Sequence, residues 1–248
     1  MAVILRSRAL ALSLVLLVFS NAVRAEIVID RTRIVYPAGA REVTVNLKNE
    51  AAGPRLVQAW IDEGDAQVAA EISDVPFSLT PPIARMEAGQ GKALRLAFDQ
   101  REGKALASDR ESVFWLNVLG VPPKPDGAGN SVQLAFRTRI KLFLRPQALS
   151  SPAKAPGGLK WRRLEGPSLR AEVHNPSAYY ITLSSVVATA DGTEYRSDDP
   201  PMLAPYSTVV MPLTASGNAP QPKPGIGFTV LDDNGATQTH HADWAPDK

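Results

Sequence analysis

No cysteine occurs among the 248 residues. That excludes a disulfide framework, so any folded domain must stand on an ordinary apolar core. Long helical periodicity is absent too, and aromatic residues make up only 6% of the chain. The motifs that carry common enzyme chemistry are also missing: there is no thiol nucleophile, no Gly-x-Ser-x-Gly elbow and no phosphate-cradling glycine loop. Histidine is confined to His174, His240 and His241. Neighbouring strand residues point to opposite faces, so His240 and His241 make a poor bidentate metal site. The expectation is a protein that is not an enzyme and needs no metal or cofactor.

One long apolar run is present, at the start. Met1 to Arg8 is short and basic, Ala9 to Phe19 is apolar, and Val23-Arg24-Ala25 offers small side chains before Glu26. This is the pattern of a secretory signal, residues 1–25, with cleavage before Glu26. The run is too short to span a bilayer and no stop-transfer pattern follows, so no membrane insertion of the mature chain is expected. The leader takes Arg6, Arg8 and Arg24 from the 27 basic residues and nothing from the 25 acidic ones, leaving 24 against 25. The basic character of the whole chain is thus largely the leader's and gives no reason to expect a nucleic-acid partner.

What remains alternates with a period of two. Ile27–Ile29 leads in, Ile29–Ile34 carries Arg31 and Arg33 at alternate positions of the same first strand, and Arg41–Leu47, Leu56–Ile61, Lys92–Phe98, Ser112–Val118 and Val132–Leu144 read as further strands. Gly53-Pro54, Ala88–Gly91 and Pro122–Asn130 separate some of them. Ala148–Gly158, made of small residues and prolines, reads as a linker. A second set follows at Leu169–Val173, Tyr179–Val187, Thr208–Leu213 and Ile226–Leu231, with turns at Asn175-Pro176 and Asp191-Gly192. About 220 residues after the leader suffice for two domains of about 100 each. The expected fold class is all-β, as two antiparallel sandwiches: 26–147, a linker at 148–158, and 159–248. Trp60 and Trp115 lie in strand-like stretches and are assigned to the core.

The cations of Ser131–Pro146 demand an account. Val132, Leu134 and Phe136 form an apolar stripe, yet Arg137, Arg139, Lys141 and Arg145 follow closely. Such charges can be solvated, can discourage pairing at a sheet edge, or can grip an anion. Spacing alone does not bring Arg33 to Lys141. Phe136 and Lys141 also differ in parity, so a regular strand points them opposite ways. Either a bulge intervenes, or the two use different aspects of the strand.

Several stretches together resemble the periplasmic pilus (fimbrial) chaperones of the chaperone–usher pathway. They are Ile29–Arg33, Pro81–Gly89, Asp109–Asn117, Val121-Pro122-Pro123, Arg139–Pro146 and His174–Tyr180, in the family's order. The resemblance implies two immunoglobulin-like sandwiches set at an angle, with a cleft between them. It implies location in the periplasm, capture of pilus subunits by donor-strand complementation, and delivery to an outer-membrane usher. Carried over residue by residue, Val132, Leu134 and Phe136 are the donated strand. Arg33 and Lys141 hold the subunit's C-terminal carboxylate, and Glu111, Arg145 and Asp233 form an interdomain ion network. The short Pro122–Asn130 loop and the missing disulfide resemble the short-loop subgroup. Weak self-association is expected of the free protein, because exposed apolar edges pair readily. The alternative reading is a secreted tandem-sandwich adhesin or carbohydrate-binding module, which would need exposed aromatics or an acidic calcium loop.

Overall fold

The computed structural model describes residues 26–67, 69–70, 74–99, 106–124, 127, 132–164, 166, 168–218 and 225–245. The leader and much of the 122–130 loop lie outside the described residues. Among the described residues, no helix is long and apolar enough to cross a membrane.

The first half holds β1 (Ile27–Ile29), β2 (Arg33–Pro37), β3 (Val43–Asn49), β4 (Arg55–Asp62) and β5 (Phe77–Thr80). It continues with β6 (Ile83–Met86), β7 (Gly91–Phe98), β8 (Ser112–Val121) and β9 (Phe136–Arg145). These build a four-stranded sheet, β1-β3-β7-β5, and a five-stranded sheet, β2-β9-β8-β4-β6. Alternation decides which side chains meet between them: Val45 and Leu47, Leu94 and Leu96, Phe114, Leu116 and Val118, and Ile140, Leu142 and Leu144 are all buried in one cluster.

The expected single strand through Ile29–Ile34 is in fact two strands in different sheets. β1 pairs with β3, whereas β2 pairs with β9. The crossing is fixed at Asp30, whose amide donates to the Asn46 carbonyl at 3.0 Å. The Asp30 carboxylate accepts from Arg31 at 2.9 and 3.1 Å and from Asn46 Nδ2 at 2.9 Å. Arg31 is thereby spent on its neighbour and does not share a strand face with Arg33.

Two short 3-10 turns, Pro152–Lys154 and Pro156–Gly158, fill the proline-rich connection. The Tyr179 hydroxyl donates to the Ser150 carbonyl, so this connection is tied to the second half. That half holds β10 (Lys160–Leu164), β11 (Arg170–His174), β12 (Ile181–Ala190), β13 (Thr193–Arg196) and β14 (Met202–Leu203). Then come β15 (Thr208–Pro212), β16 (Thr214–Asn218), β17 (Gly225–Leu231) and β18 (Thr237–Ala242). A three-stranded sheet, β10-β11-β15, faces the sheet β16-β13-β12-β17-β18, around a separate core that includes Trp161, Val173, Val186 and Phe228. His240 stacks on Phe228 at 5.4 Å, while His241 lines the outer side of this sheet. The loop leading to β12 is braced by buried Asn175. Its Nδ2 donates to the carbonyls of Tyr179 and Ala204 at 2.8 and 2.9 Å, and its Oδ1 accepts from the Ser177 amide at 3.0 Å.

Candidate functional site

β2 runs parallel to β9 at the edge of the five-stranded sheet, and the register sets Arg33 opposite Lys141 and Pro37 opposite Arg145. β2 begins at Arg33, so the stretch of β9 ahead of Lys141 has no described strand on that side. On its other side, β9 pairs with β8 without a register shift from Ser112–Leu144 through Gly120–Phe136. No bulge reconciles Phe136 with Lys141; the parity difference is real. Even residues point toward the core and odd residues point away from it. Val132 and Leu134 precede β9 and share its even numbering. Their exposures are 90% and 63%, and that of Phe136 is 57%. Gln133 Nε2 donates to the carbonyls of Pro122 and Pro123 at 2.9 and 2.7 Å, pinning this segment to the strand it returns from.

The odd face of β9 meets the second domain. Arg33, only 7% exposed, donates from Nη1 to the Leu231 carbonyl at 3.1 Å. Lys141 Nζ lies 3.3 Å from Thr182 Oγ1 and 5.7 Å from the centre of the Trp115 ring. Thr182 and Leu231 are themselves cross-strand partners on β12 and β17, so one rung of the first domain abuts one rung of the second. No carboxylate among the described residues forms an ion pair with either cation, and buried Arg33 Nε has no acceptor. Burial holds the Lys141 ammonium below its ordinary pKa, and the neighbouring Arg33 charge adds to the shift. Burial likewise lowers Arg33, with Asp232 and Asp233 acting against it. A buried guanidinium beside a half-buried ammonium, neither of them ion-paired among the described residues, is a costly arrangement that an added negative charge would relieve.

Arg145 is in the opposite condition. Its Nε donates to Glu111 at 2.7 Å, and its Nη1 and Nη2 donate to Asp233 at 2.7 and 2.8 Å. Glu111, 3% exposed, also accepts from the Tyr180 amide at 2.8 Å, and its own amide donates to Ala178. Burial raises the Glu111 carboxyl above its usual range, against the pull of Tyr180 and Arg145. The three residues thus meet at the domain seam, where Phe143 and Tyr180 rings lie 5.9 Å apart. A cavity of about 220 Å³ beside them is lined in part by Arg33, Phe143, Tyr180 and Asp233.

The remaining cations and the tryptophans differ from expectation. Trp60 and Trp115 are half-buried on the outer face of the five-stranded sheet, because Val57, Ala59 and Ile61 take the inner positions of β4 and Phe114 and Leu116 those of β8. Arg137 lies 5.9 Å from the Trp60 ring centre and Arg139 4.1 Å from that of Trp115. Arg139 is no solvated edge charge: it binds Asp62 at 2.5 and 3.3 Å. Arg137 donates to the Ala66 carbonyl at 2.8 Å. Thr182, Trp115 and Asp62 were not anticipated as neighbours of the cations. Only the Trp115 alternation with Asn117 and Val113 hinted at a shared outer face.

The geometry defines a class of two-domain protein: two immunoglobulin-like sandwiches that meet at a charged seam, with a sheet edge left open beside Arg33 and Lys141. Residues 26–150 match the family "Pili and flagellar-assembly chaperone, PapD N-terminal domain", and residues 154–242 match "Pili assembly chaperone PapD, C-terminal domain". The chain belongs to this family of pilus-assembly chaperones. It is 43% identical over 225 residues to the chaperone protein FimB/FhaD of Bordetella pertussis, covering 89% of each chain. The crystal structure of the YadV chaperone superposes with a TM-score of 0.74 at 39% identity, covering 88% of this chain and 99% of that one. A Salmonella enterica SafB chaperone in complex with the SafA pilin gives a TM-score of 0.72 at 26% identity, covering 90% and 98%.

Proposed function

We propose that this protein captures pilus subunits in the periplasm by lending them the open edge ahead of Lys141, and hands them to an outer-membrane usher. The observation that carries this reading is the position of Arg33 and Lys141. They are register partners, Arg33 buried and Lys141 half-buried, with no ion-paired carboxylate among the described residues, at the point where the free edge of β9 meets the start of β2. A subunit strand with its C-terminal carboxylate here must lie along the free edge in the direction of β2. It therefore runs parallel to β9 and takes the place β2 would have if it were longer. Backbone hydrogen bonds then bind without regard to sequence, and Val132, Leu134 and Phe136 enter an apolar groove of the subunit. Each such side chain, once buried, contributes about 1.5–3 kcal/mol before ordering costs. The SafA–SafB complex supports the partner class.

Glu111, Arg145 and Asp233 hold the domain angle and hence the distance between the lent edge and the second domain. Buried ion pairs of this kind set geometry more than net stability. In this reading residues 1–25 are removed on export, 26–147 bind the subunit, 148–158 connect, and 159–248 complete the cleft. Lending a strand is a binding function that makes and breaks no covalent bond and calls for no metal or cofactor.

Periplasmic co-purification with candidate subunits tests the proposal. Arg33→Ala and Lys141→Ala are expected to fold and to lose the subunit. Undiminished capture by the double variant overturns the anchoring. Sedimentation tests the accessory expectation of weak self-association: strict monomers at high concentration, with Val132, Leu134 and Phe136 solvent-exposed, would contradict it.

A further inference from the structure

We propose that Asp62 determines the register of subunit capture: by holding Arg139, it removes a second carboxylate anchor that lies two residues ahead of Lys141 on the same face of β9. This inference rests on the capture reading above. A strand added to an edge can slip by two residues, about 6.6 Å, and keep both its backbone hydrogen bonds and its inside–outside alternation. Only the anchor at its end distinguishes the two registers. Slippage past Lys141 is blocked, because β2 occupies that edge from Arg33 onward. Slippage the other way is open, and it brings the carboxylate opposite Arg139.

Arg139 is otherwise well suited to receive it. Its guanidinium lies over the same Trp115 ring that Lys141 approaches, at 4.1 Å against 5.7 Å. Its side chain is 19% exposed, within reach of a strand laid along the edge. What separates the two cations is Asp62, which binds Arg139 at 2.5 Å through Nη2 and 3.3 Å through Nε. Asp62 is in turn fixed by Asn117 Nδ2 at 2.6 Å and the Gly64 amide at 2.7 Å, and it is 2% exposed. The carboxylate is therefore held in place independently of Arg139. Lys141 has a hydroxyl there and no acid, so an incoming carboxylate finds one vacant anchor and one that is already filled.

The absence of native cysteine permits a disulfide readout of register. Ala135→Cys is introduced into the chain as reporter. The probe is a synthetic peptide of alternating valine and threonine with a free C-terminal carboxylate and a single cysteine. In one version the cysteine faces residue 135 when the carboxylate is opposite Lys141, and in the other when it is opposite Arg139. Wild-type background is expected to give mainly the first crosslink, dependent on a free carboxylate and lost with the C-terminal amide. Asp62→Asn is expected to raise the ratio of slipped to native crosslink about tenfold, as one charge-assisted contact becomes available. Asp62→Ser is a second neutral variant should the amide fold poorly. Asp62→Asn combined with Arg139→Gln should return the ratio to the wild-type value. An unchanged ratio in both neutral variants, or slippage that persists in the combined variant, overturns the inference while leaving the anchor intact. Crosslinking in wild type that ignores the free carboxylate overturns the anchoring reading itself, and this inference with it.

Discussion

The front and back of one strand offer a controlled contrast. Phe136, Ile140, Leu142 and Leu144 share one side of β9, and Val132 and Leu134, just ahead of the strand, share their even numbering and their apolar chemistry. Leu142 is fully buried and Leu134 is 63% exposed. The difference lies in what stands opposite: the four-stranded sheet covers the back and stops short of the front. An apolar side chain is a core residue only where another layer completes it. The front is thus an apolar series that the free chain leaves exposed, and in the proposed function it is the part a subunit covers.

The sharpest way to break that comparison is to truncate one leucine from each half. Leu142→Ala is expected to cost about 2–5 kcal/mol of stability, since the cavity lies deep in the sandwich. Leu134→Ala should alter stability by less than about 0.5 kcal/mol, because the side chain is largely exposed in the free chain. Subunit capture should show the reverse order among the folded fractions, with Leu134→Ala the weaker binder. Urea unfolding followed by fluorescence gives the first pair of numbers and co-purification the second. Equal stability losses at the two sites would mean that the front is already covered in the free protein.

The even series was legible from sequence because alternation survives without knowledge of partners. The candidate site was proposed only through resemblance, and the reasons are physical. Arg139 and Lys141 are two cations at equivalent spacing, and sequence offers no means of telling which is neutralised. The answer lies in Asp62, 77 residues away from Arg139 and brought there by pairing of β4 with β8 and of β8 with β9. Trp60 and Trp115 are half-buried and not core for a related reason. Period-two patterning says which residues share a face, but β8 is apolar on both, so it does not say which face the second sheet covers. The break between β1 and β2 depends on side-chain bonds of Asp30 that no propensity encodes.

The two glycines of tight turns sharpen the contrast between covered and uncovered positions at the level of backbone. Gly235, at φ +82°, carries the turn beside Asp233, and a Cβ added there would lie 2.2 Å from Thr32 Oγ1 in the other domain. Gly192, at φ +75°, closes the β12–β13 hairpin and would place its Cβ in open space. Both alanine variants bear the cost of left-handed backbone, about 1 kcal/mol. Gly235→Ala should also push the Asp233 turn from Thr32, adding roughly 1–2 kcal/mol and loosening the Arg145 contact. Thermal unfolding measures the first effect, and small-angle scattering reads any change in the domain angle. Matching behaviour of the two variants would show that the seam yields freely at this turn.

The smallest effect concerns the cations, where back and front meet. Lys141 is held below its ordinary pKa of 10.5 by burial, with Arg33 adding to the shift. Arg33 stays charged throughout the accessible range. Over the interval just below 10.5 the unfolded chain therefore binds more protons at this position than the folded one. Stability then rises with pH across that interval, because deprotonation removes a half-buried charge that has no ion-paired carboxylate among the described residues. Lys141→Ala removes this slope, so the difference in unfolding free energy between wild type and variant should shift in favour of wild type as pH climbs from neutrality toward 10. Saturation with a peptide bearing a free carboxylate should flatten the dependence, since a bound anion favours the charged ammonium. A C-terminal amide should leave it unchanged. A pH slope identical in free and carboxylate-saturated protein would place the anion elsewhere than beside Lys141.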